Sequence, residues 1–177
     1  MKKLILTLFI VLTMNVTLWG GSKLGLDFKI GTGYMDTVKT EYKNSKYETN
    51  SLSTVVLGIG AEYYDNLNIY IGSDLEFAIA DDQYTNAYGS LTTAFGKVGI
   101  HIDKTIIVYG LGGFAYHDLN SQTINTSGSG IVFGGGLKLN HKQNVGMEIN
   151  FKRSQLTDNS ETKYYVNSMT LNCVLFF

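Results

Sequence analysis

Apolar and polar residues alternate with a period of two along most of this chain, whereas the 3.6-residue period of a helix is absent after residue 22. The run at 67–79 is the clearest, because apolar residues and one serine occupy its odd positions while its even positions are mostly polar or glycine. Successive side chains of a strand point to opposite faces, so such a run predicts a β-strand with one apolar face. Eight such runs occur, at 24–34, 52–64, 67–79, 88–102, 105–117, 131–139, 145–151 and 165–177.

The connections between these runs alternate in length. The short ones are 65–66, 103–104 and 140–143. The longer, polar ones are 36–51, 81–87, 118–129 and 155–164. In an up-and-down meander, this alternation places the short turns at one rim and the long loops at the other. Outer-membrane barrels have this asymmetry, with short periplasmic turns and longer extracellular loops.

The two faces of the runs differ in charge and in glycine content. Over 24–34 and 67–79 the apolar face carries no charge, and the other face combines single charges with glycines. Glycine beside single charges suits the interior of an eight-stranded barrel, which is only just wide enough for side chains. The uncharged face suits lipid, where a lysine or arginine at mid-strand costs ~2–4 kcal/mol. We therefore predict that the apolar face contacts lipid; a soluble barrel with an apolar interior is the alternative.

The fold class predicted is all-β: a closed, antiparallel, eight-stranded transmembrane barrel in up-and-down order. Closure is required because hydrocarbon offers no partner for the backbone groups of an open strand edge. Aromatic residues near strand ends fit the interfacial girdles of such a barrel. They are Tyr34, Tyr63, Tyr88, Tyr116, Phe151, Tyr165 and Phe177. The run at 105–117 is apolar on both faces, so its facing stays open.

The first 22 residues have the layout of a secretory signal peptide. Two lysines precede an apolar run at 4–12, and small residues occupy 20–22. A membrane anchor helix is the alternative, but Thr13, Asn15 and Thr17 interrupt the run before it reaches ~20 apolar residues. We predict a signal peptide at 1–22 and a barrel domain at 23–177.

Composition narrows the function classes. A chain of 177 residues suits one domain, and a net charge of -1 provides no basic field for nucleic acid. Proline is absent, as expected of a chain that is mostly strand. The single cysteine, Cys173, excludes an intrachain disulfide and a CxxC metal site.

The predicted interior face carries a nearly balanced set of charges. Its members are Asp27, Lys29, Glu62, Asp74, Glu76, Lys97, His101, Lys138, Glu148 and Lys152. We interpret them as a structural network of ion pairs that fills the lumen. A gated ion path or a proton relay is the alternative.

No catalytic, cofactor or metal site is predicted. Asp74 and Glu76 share one strand face, as paired carboxylates can, but no cleft or nucleophile accompanies them. His101, His117 and His141 lie far apart in sequence, and only His101 is expected to point inward. A lone histidine is more often structural than a ligand.

The chain ends in MTLNCVLFF, and residues 109–117 read YGLGGFAYH. These stretches resemble small outer-membrane barrels of the OmpA-like and opacity-protein type. The resemblance implies residence in the cell outer membrane as a monomer, beside lipid and lipopolysaccharide. It also implies delivery by periplasmic chaperones and recognition of Leu171, Cys173, Leu175 and Phe177 by the barrel assembly machinery.

We predict a non-enzymatic protein with a structural or surface-interaction role through its four longer loops, because loops on a rigid scaffold commonly carry binding. The sequence does not identify the extracellular ligand. A narrow ion-conducting pore and a lipid A-modifying enzyme are the alternatives. The lipid A deacylase family has a His-x-Ser pair on a late strand. Here Lys152 stands where that histidine should be, two residues before Ser154, which argues against deacylation.

The alternation of connections predicts an orientation in the membrane. Cysteine at position 122 should react with an impermeant thiol reagent on intact cells, whereas cysteine at position 65 should not, in a Cys173→Ser background. Both variants should react after the cells are lysed, which controls for folding and expression. Labelling at position 65 alone would reverse the orientation.

Overall fold

The computed structural model describes residues 23–40, 47–64, 68–82, 87–103, 105–120, 125–141, 144–158 and 163–177. Within these ranges the chain forms eight strands: β1 (Lys23–Thr40), β2 (Tyr47–Tyr64), β3 (Ile69–Asp82), β4 (Ala87–His101), β5 (Ile106–Asn120), β6 (Asn125–His141), β7 (Val145–Asp158) and β8 (Lys163–Phe176). Each strand pairs antiparallel with the next, and β8 pairs with β1. The predicted closed, up-and-down, eight-stranded barrel is therefore confirmed. The described residues contain no helix long and apolar enough to cross a membrane.

The prediction of four long loops is wrong. We call the rim that holds both ends of the described chain the terminal rim and the opposite rim the far rim. At the far rim the β1–β2 ladder continues to the pair Thr40–Tyr47, so most of the predicted loop 36–51 is strand. Likewise, 118–129 shrinks to the four residues between Asn120 and Asn125. The sequence hid this extension because polar residues prevail where the strands pass beyond the apolar band, and the regular alternation is lost there.

The predicted segments 81–87 and 155–164 are shortened in the same way. Strand β3 continues to Asp82, and β7 continues to Asp158. Strand β8 already begins at Lys163. The predicted turn at 65–66, residues 1–22, Lys104 and part of 140–143 lie outside the described residues.

The turn before β5 is held by one aspartate. The Asp103 carboxylate accepts hydrogen bonds from the backbone N–H groups of Thr105 (2.6 Å) and Ile106 (2.8 Å) and from the Thr105 hydroxyl (2.8 Å). These bonds favour the ionised form and hold the pKa of Asp103 below its ordinary value. The predicted turn at 103–104 is thus capped by its own first residue.

The apolar face of the strands points outward, as predicted. On β3, Ile71 is 47% exposed, whereas Asp74 and Glu76 on the opposite face are 1% exposed. The same division holds around the whole wall, where Phe114 reaches 73% exposure. A continuous apolar surface of this kind is stable in lipid and not in water.

Strand β5, whose facing the sequence left open, is now assigned. Val108, Phe114 and Tyr116 point outward, while Tyr109 and His117 are buried in the lumen. His117 is fully buried, so the expectation that only His101 points inward is wrong. Apolar residues on both faces of β5 concealed this, because its lumen side packs against other apolar side chains.

The lumen has two layers rather than the uniformly polar interior expected. The half near the terminal rim contains the buried charges. The half near the far rim is filled largely by apolar side chains: Met35, Leu52, Val56, Ala80, Leu91, Leu156, Tyr164 and Val166. These residues occupy inward positions on the strand extensions or next to them.

The outward-facing residues allow a test of how deep each of them lies in the membrane. Ile71 is the third residue of β3 and lies near the terminal rim, so Leu75 is the outward residue closer to the middle of the apolar band. Leu75→Arg should lower the free energy of unfolding by ~2–4 kcal/mol, because it places a charge at that depth. Gln155→Arg introduces the same residue near the far rim and should cost only ~0–1 kcal/mol. Urea unfolding in lipid bilayers, followed by circular dichroism, measures both. Equal stability of the two variants would mean that Leu75 does not face lipid.

Candidate functional site

The nine predicted interior acids and lysines lie together in the terminal-rim half of the lumen, and each is at most 5% exposed. They come from β1, β2, β3, β4, β6 and β7. His101, the tenth predicted residue, is partly exposed near the terminal rim. Its ring lies edge-on to the Tyr70 ring, with the centroids 6.3 Å apart.

Lys97 is the centre of this cluster. Its Nζ lies 2.8 Å from Asp74 Oδ2, 3.3 Å from Glu62 Oε1 and 3.4 Å from Glu148 Oε2. One ammonium group thus joins three carboxylates that belong to three strands. A buried charge needs such compensation, because desolvation of an unpaired ion costs several kcal/mol.

The other three lysines extend the cluster. Lys29 pairs with Asp74 and lies 2.9 Å from Glu148 Oε1. Lys138 pairs with Glu62 and lies 3.5 Å from Asp27 Oδ2.

Lys152 pairs with Glu76. Every one of the five acids therefore contacts at least one lysine, and we call this set of nine residues the ion-pair cluster.

Three neutral side chains, those of Tyr70, Tyr109 and Asn150, form hydrogen bonds within or next to the ion-pair cluster. Sequence analysis did not predict their part in it. Asn150 donates to Glu148 Oε1 (2.7 Å) and to Glu76 Oε1 (3.4 Å), and it accepts from the Tyr109 hydroxyl (2.6 Å). The Tyr70 hydroxyl donates to Glu62 Oε1 (2.6 Å). The inward parity of Tyr70 and Asn150 was the available signal, whereas the facing of Tyr109 was not predictable.

Aromatic rings surround the ammonium groups. Lys97 Nζ lies 5.5 Å from the centre of the Tyr70 ring and 5.3 Å from that of Tyr109. Lys138 Nζ lies 4.4 Å from the centre of the Phe176 ring. Ring faces attract cations, most strongly where water is excluded, so they add to the compensation by the carboxylates.

A glycine makes room for two of the acids. A Cβ atom added at Gly60 would collide with Oδ1 of both Asp27 and Asp74. Gly60 pairs with both residues across the barrel wall. The carboxylates therefore fold back over a residue without a side chain, which is the role that the lumen width predicts for glycine.

This geometry does not favour a metal site or a catalytic serine. One carboxylate oxygen each of Asp74, Glu76 and Glu148 lies within 4.8 Å of the others, a spacing that a metal ion can bridge. Lysine ammonium groups already contact all three acids, so cations of the chain itself fill that role. Ser154 is buried on the lumen side of β7 and points away from lipid.

The C-terminal residues form one outward row. Leu171, Cys173 and Leu175 are exposed on the wall, and Phe177 is 84% exposed. The N–H of Phe177 donates to the carbonyl of Leu26 (2.9 Å), so the last residue joins β8 to β1. Recognition of this row by the assembly machinery stays a prediction.

The central position of Lys97 generates a stability test. Lys97→Met should lower the free energy of unfolding by ~3–5 kcal/mol, because it leaves buried carboxylates uncompensated. Adding Asp74→Asn should recover part of the loss, since it removes the nearest of these charges. Lys163→Met removes an exposed lysine and should change little.

Urea unfolding of the lipid-embedded barrels measures all three variants. Unchanged stability of Lys97→Met would show that the ion-pair cluster does not hold the fold together.

Comparison with known proteins identifies relatives by family and by fold. The family model described as outer membrane protein beta-barrel domain matches residues 4–177. A search of curated proteins found no match.

Three solved structures illustrate the similarity in fold. Ail, the attachment invasion locus protein of Yersinia pestis, has a TM-score of 0.62 at 15% identity, over 86% of this chain and 98% of that one. Neisserial surface protein A has a TM-score of 0.58 at 10% identity, over 89% and 99%. The N-terminal β-barrel domain of Pseudomonas aeruginosa OprF has 0.50 at 11%, over 89% and 100%.

Identities this low show the fold alone. The family match covers nearly the whole chain, and its description agrees with the apolar wall and the closed strand order. The protein is therefore a component of the cell outer membrane. It belongs to the outer membrane protein β-barrel domain family.

Proposed function

We propose that this protein is a non-enzymatic, non-conducting barrel that acts at the cell surface through the far-rim ends of strands β1 and β2. The observation that carries the proposal is the length of the β1–β2 ladder beyond the apolar band. The ladder replaces the four long loops as the expected interaction surface.

The length of these strands exceeds what the membrane requires. Strands β1 and β2 have 18 residues each. At ~3.3 Å per residue and a tilt of ~40°, such a strand rises roughly 45 Å, whereas the apolar band of a membrane barrel is roughly 25 Å tall. On the outward face of β1 no charged residue occurs from Leu24 to Tyr34, and Asp36 is the first charge at that parity. The surplus therefore projects from the far rim, where we expect a partner to contact it.

The contents of the lumen support the absence of conduction. Ions crossing the barrel would have to separate the ion pairs around Lys97 and then pass the apolar layer around Met35 and Leu52, which are at most 1% exposed. The buried acids are engaged with lysines, and the buried Ser154 faces the lumen, which supports a non-enzymatic role.

A sulfated saccharide is the first ligand class to test. A solved structure shows Ail of Yersinia pestis in complex with the heparin analogue sucrose octasulfate, at a TM-score of 0.55 and 17% identity to this chain. A similarity at this level of identity supports a shared fold and gives no evidence for a shared binding site. The saccharide therefore serves as a probe of the far rim rather than as an assigned ligand.

Ail is named as an attachment protein, so attachment to host cells is the surface role to test first, and shortening the β1–β2 ladder tests it. Thr37 pairs with Asn50, so replacing residues 38–49 by Asn-Gly should close a tight hairpin at that rung. Cells that display this variant should lose attachment to epithelial monolayers, while the barrel stays folded. Sucrose octasulfate should compete with attachment of cells that display the intact protein.

The matched control shortens another hairpin. Asp118 pairs with Ser127, so Asn-Gly in place of 119–126 removes far-rim residues from β5 and β6 and should preserve attachment. Attachment unaffected by shortening β1 and β2 would contradict the surface assignment. A steady current through the intact protein in planar bilayers would contradict the closed lumen and favour the pore.

A further inference from the structure

A groove on the outer wall of the barrel crosses β6, β7, β8 and β1 at the far-rim edge of the apolar band. Its volume is about 410 Å³, within the range of small-ligand pockets. It lies on the surface that faces lipid, and Lys152 is the one member of the ion-pair cluster among its lining residues.

The half of the groove nearer the terminal rim is apolar. Phe151, Met169 and Tyr34 form one row, because Phe151 pairs with Met169 and Met169 pairs with Tyr34. Each of these side chains is about half exposed. Such a row offers a hydrocarbon chain a continuous apolar surface, which is inclined to the membrane normal because it crosses the tilted strands.

The half nearer the far rim is polar. Arg153 pairs with Asn167, and Asn167 pairs with Asp36, so these residues form the next outward row across β7, β8 and β1. Asp36 Oδ1 is buried and has no hydrogen-bond partner among the residues that the structure describes. The groove therefore has a cation, an amide and a carboxylate immediately above an apolar surface.

Arg153 is the only arginine of the chain. Its guanidinium lies over the Tyr165 ring, 4.5 Å from the centroid. Stacking on a ring fixes the plane of the guanidinium and leaves its edge N–H groups available as donors. The fork of donors matches the oxygens of a phosphate, which Arg binds with two parallel hydrogen bonds.

We propose that this groove binds one phosphate-bearing membrane lipid. The phosphate contacts Arg153, and an acyl chain lies along Phe151, Met169 and Tyr34. Asp36 Oδ1 accepts a hydrogen bond from a donor elsewhere in the headgroup, such as a hydroxyl. The occupant is a lipid rather than a soluble anion, because the apolar row adjoins the cation and both lie on the membrane-facing wall.

Native mass spectrometry of the detergent-solubilised barrel tests this site. Phosphatidylglycerol and lipid A serve as phosphate-bearing probes, and diacylglycerol serves as the probe without phosphate. The intact protein should retain one phosphate-bearing lipid and not diacylglycerol. Arg153→Gln should weaken retention about tenfold, the effect of losing one charge-assisted contact. Arg153→Lys should fall between them, because it keeps the charge and loses the fork.

Lys163→Gln is the matched control, since Lys163 is also an exposed cation of the β7–β8 hairpin but does not line the groove. It should retain the lipid as the intact protein does. Retention unchanged in Arg153→Gln, or reduced equally in Lys163→Gln, would overturn the proposal. Retention of diacylglycerol would show an apolar groove only, and displacement by millimolar inorganic phosphate would show a soluble-anion site; either result also overturns it.

Discussion

Eight strands close into a lumen that is only just wide enough for side chains, and this width governs the rest of the structure. It leaves little room for water to solvate a charge, so the lysines and acids of the inner face have to satisfy one another. Lys97 does this for three carboxylates at once. For the same reason residue 60 is a glycine, since a side chain there would collide with the carboxylates of Asp27 and Asp74. The ion-pair cluster is thus a consequence of strand number as much as of sequence.

The faces of the strands were predictable, because the period of two survives wherever one side meets lipid. Asp74 and Glu76 on β3 and Glu148 on β7 were therefore assigned to the lumen from parity alone. Their partners were not predictable. Lys29 and Glu148 are 119 residues apart, and their contact depends on barrel closure and on the register of every strand pair between them.

Sequence patterns failed where the membrane no longer imposes a difference between the two faces. Beyond Asp36 the strand β1 continues among threonine, lysine and valine, and no apolar alternation distinguishes it from a loop. The pattern also failed to predict the facing of strand β5, for the opposite reason. Its lumen side carries Ile107 and Leu111, so both faces are apolar and the inward position of His117 was hidden. The groove around Arg153 was equally invisible, because it is assembled from four strands.

The contact between Lys29 and Glu148 also constrains how the barrel forms. Strand β1 is the first strand of the chain and β7 the seventh, so the charges of Lys29 and Glu148 meet only after the sheet has curved shut. Until then Lys29 and Glu148 lack part of their compensation, and a partly curved sheet holds charges that lipid disfavours. Contacts of such long sequence separation slow folding. Closure and neutralisation of the lumen should therefore occur in one cooperative step, with half-curved intermediates too costly to accumulate in the bilayer.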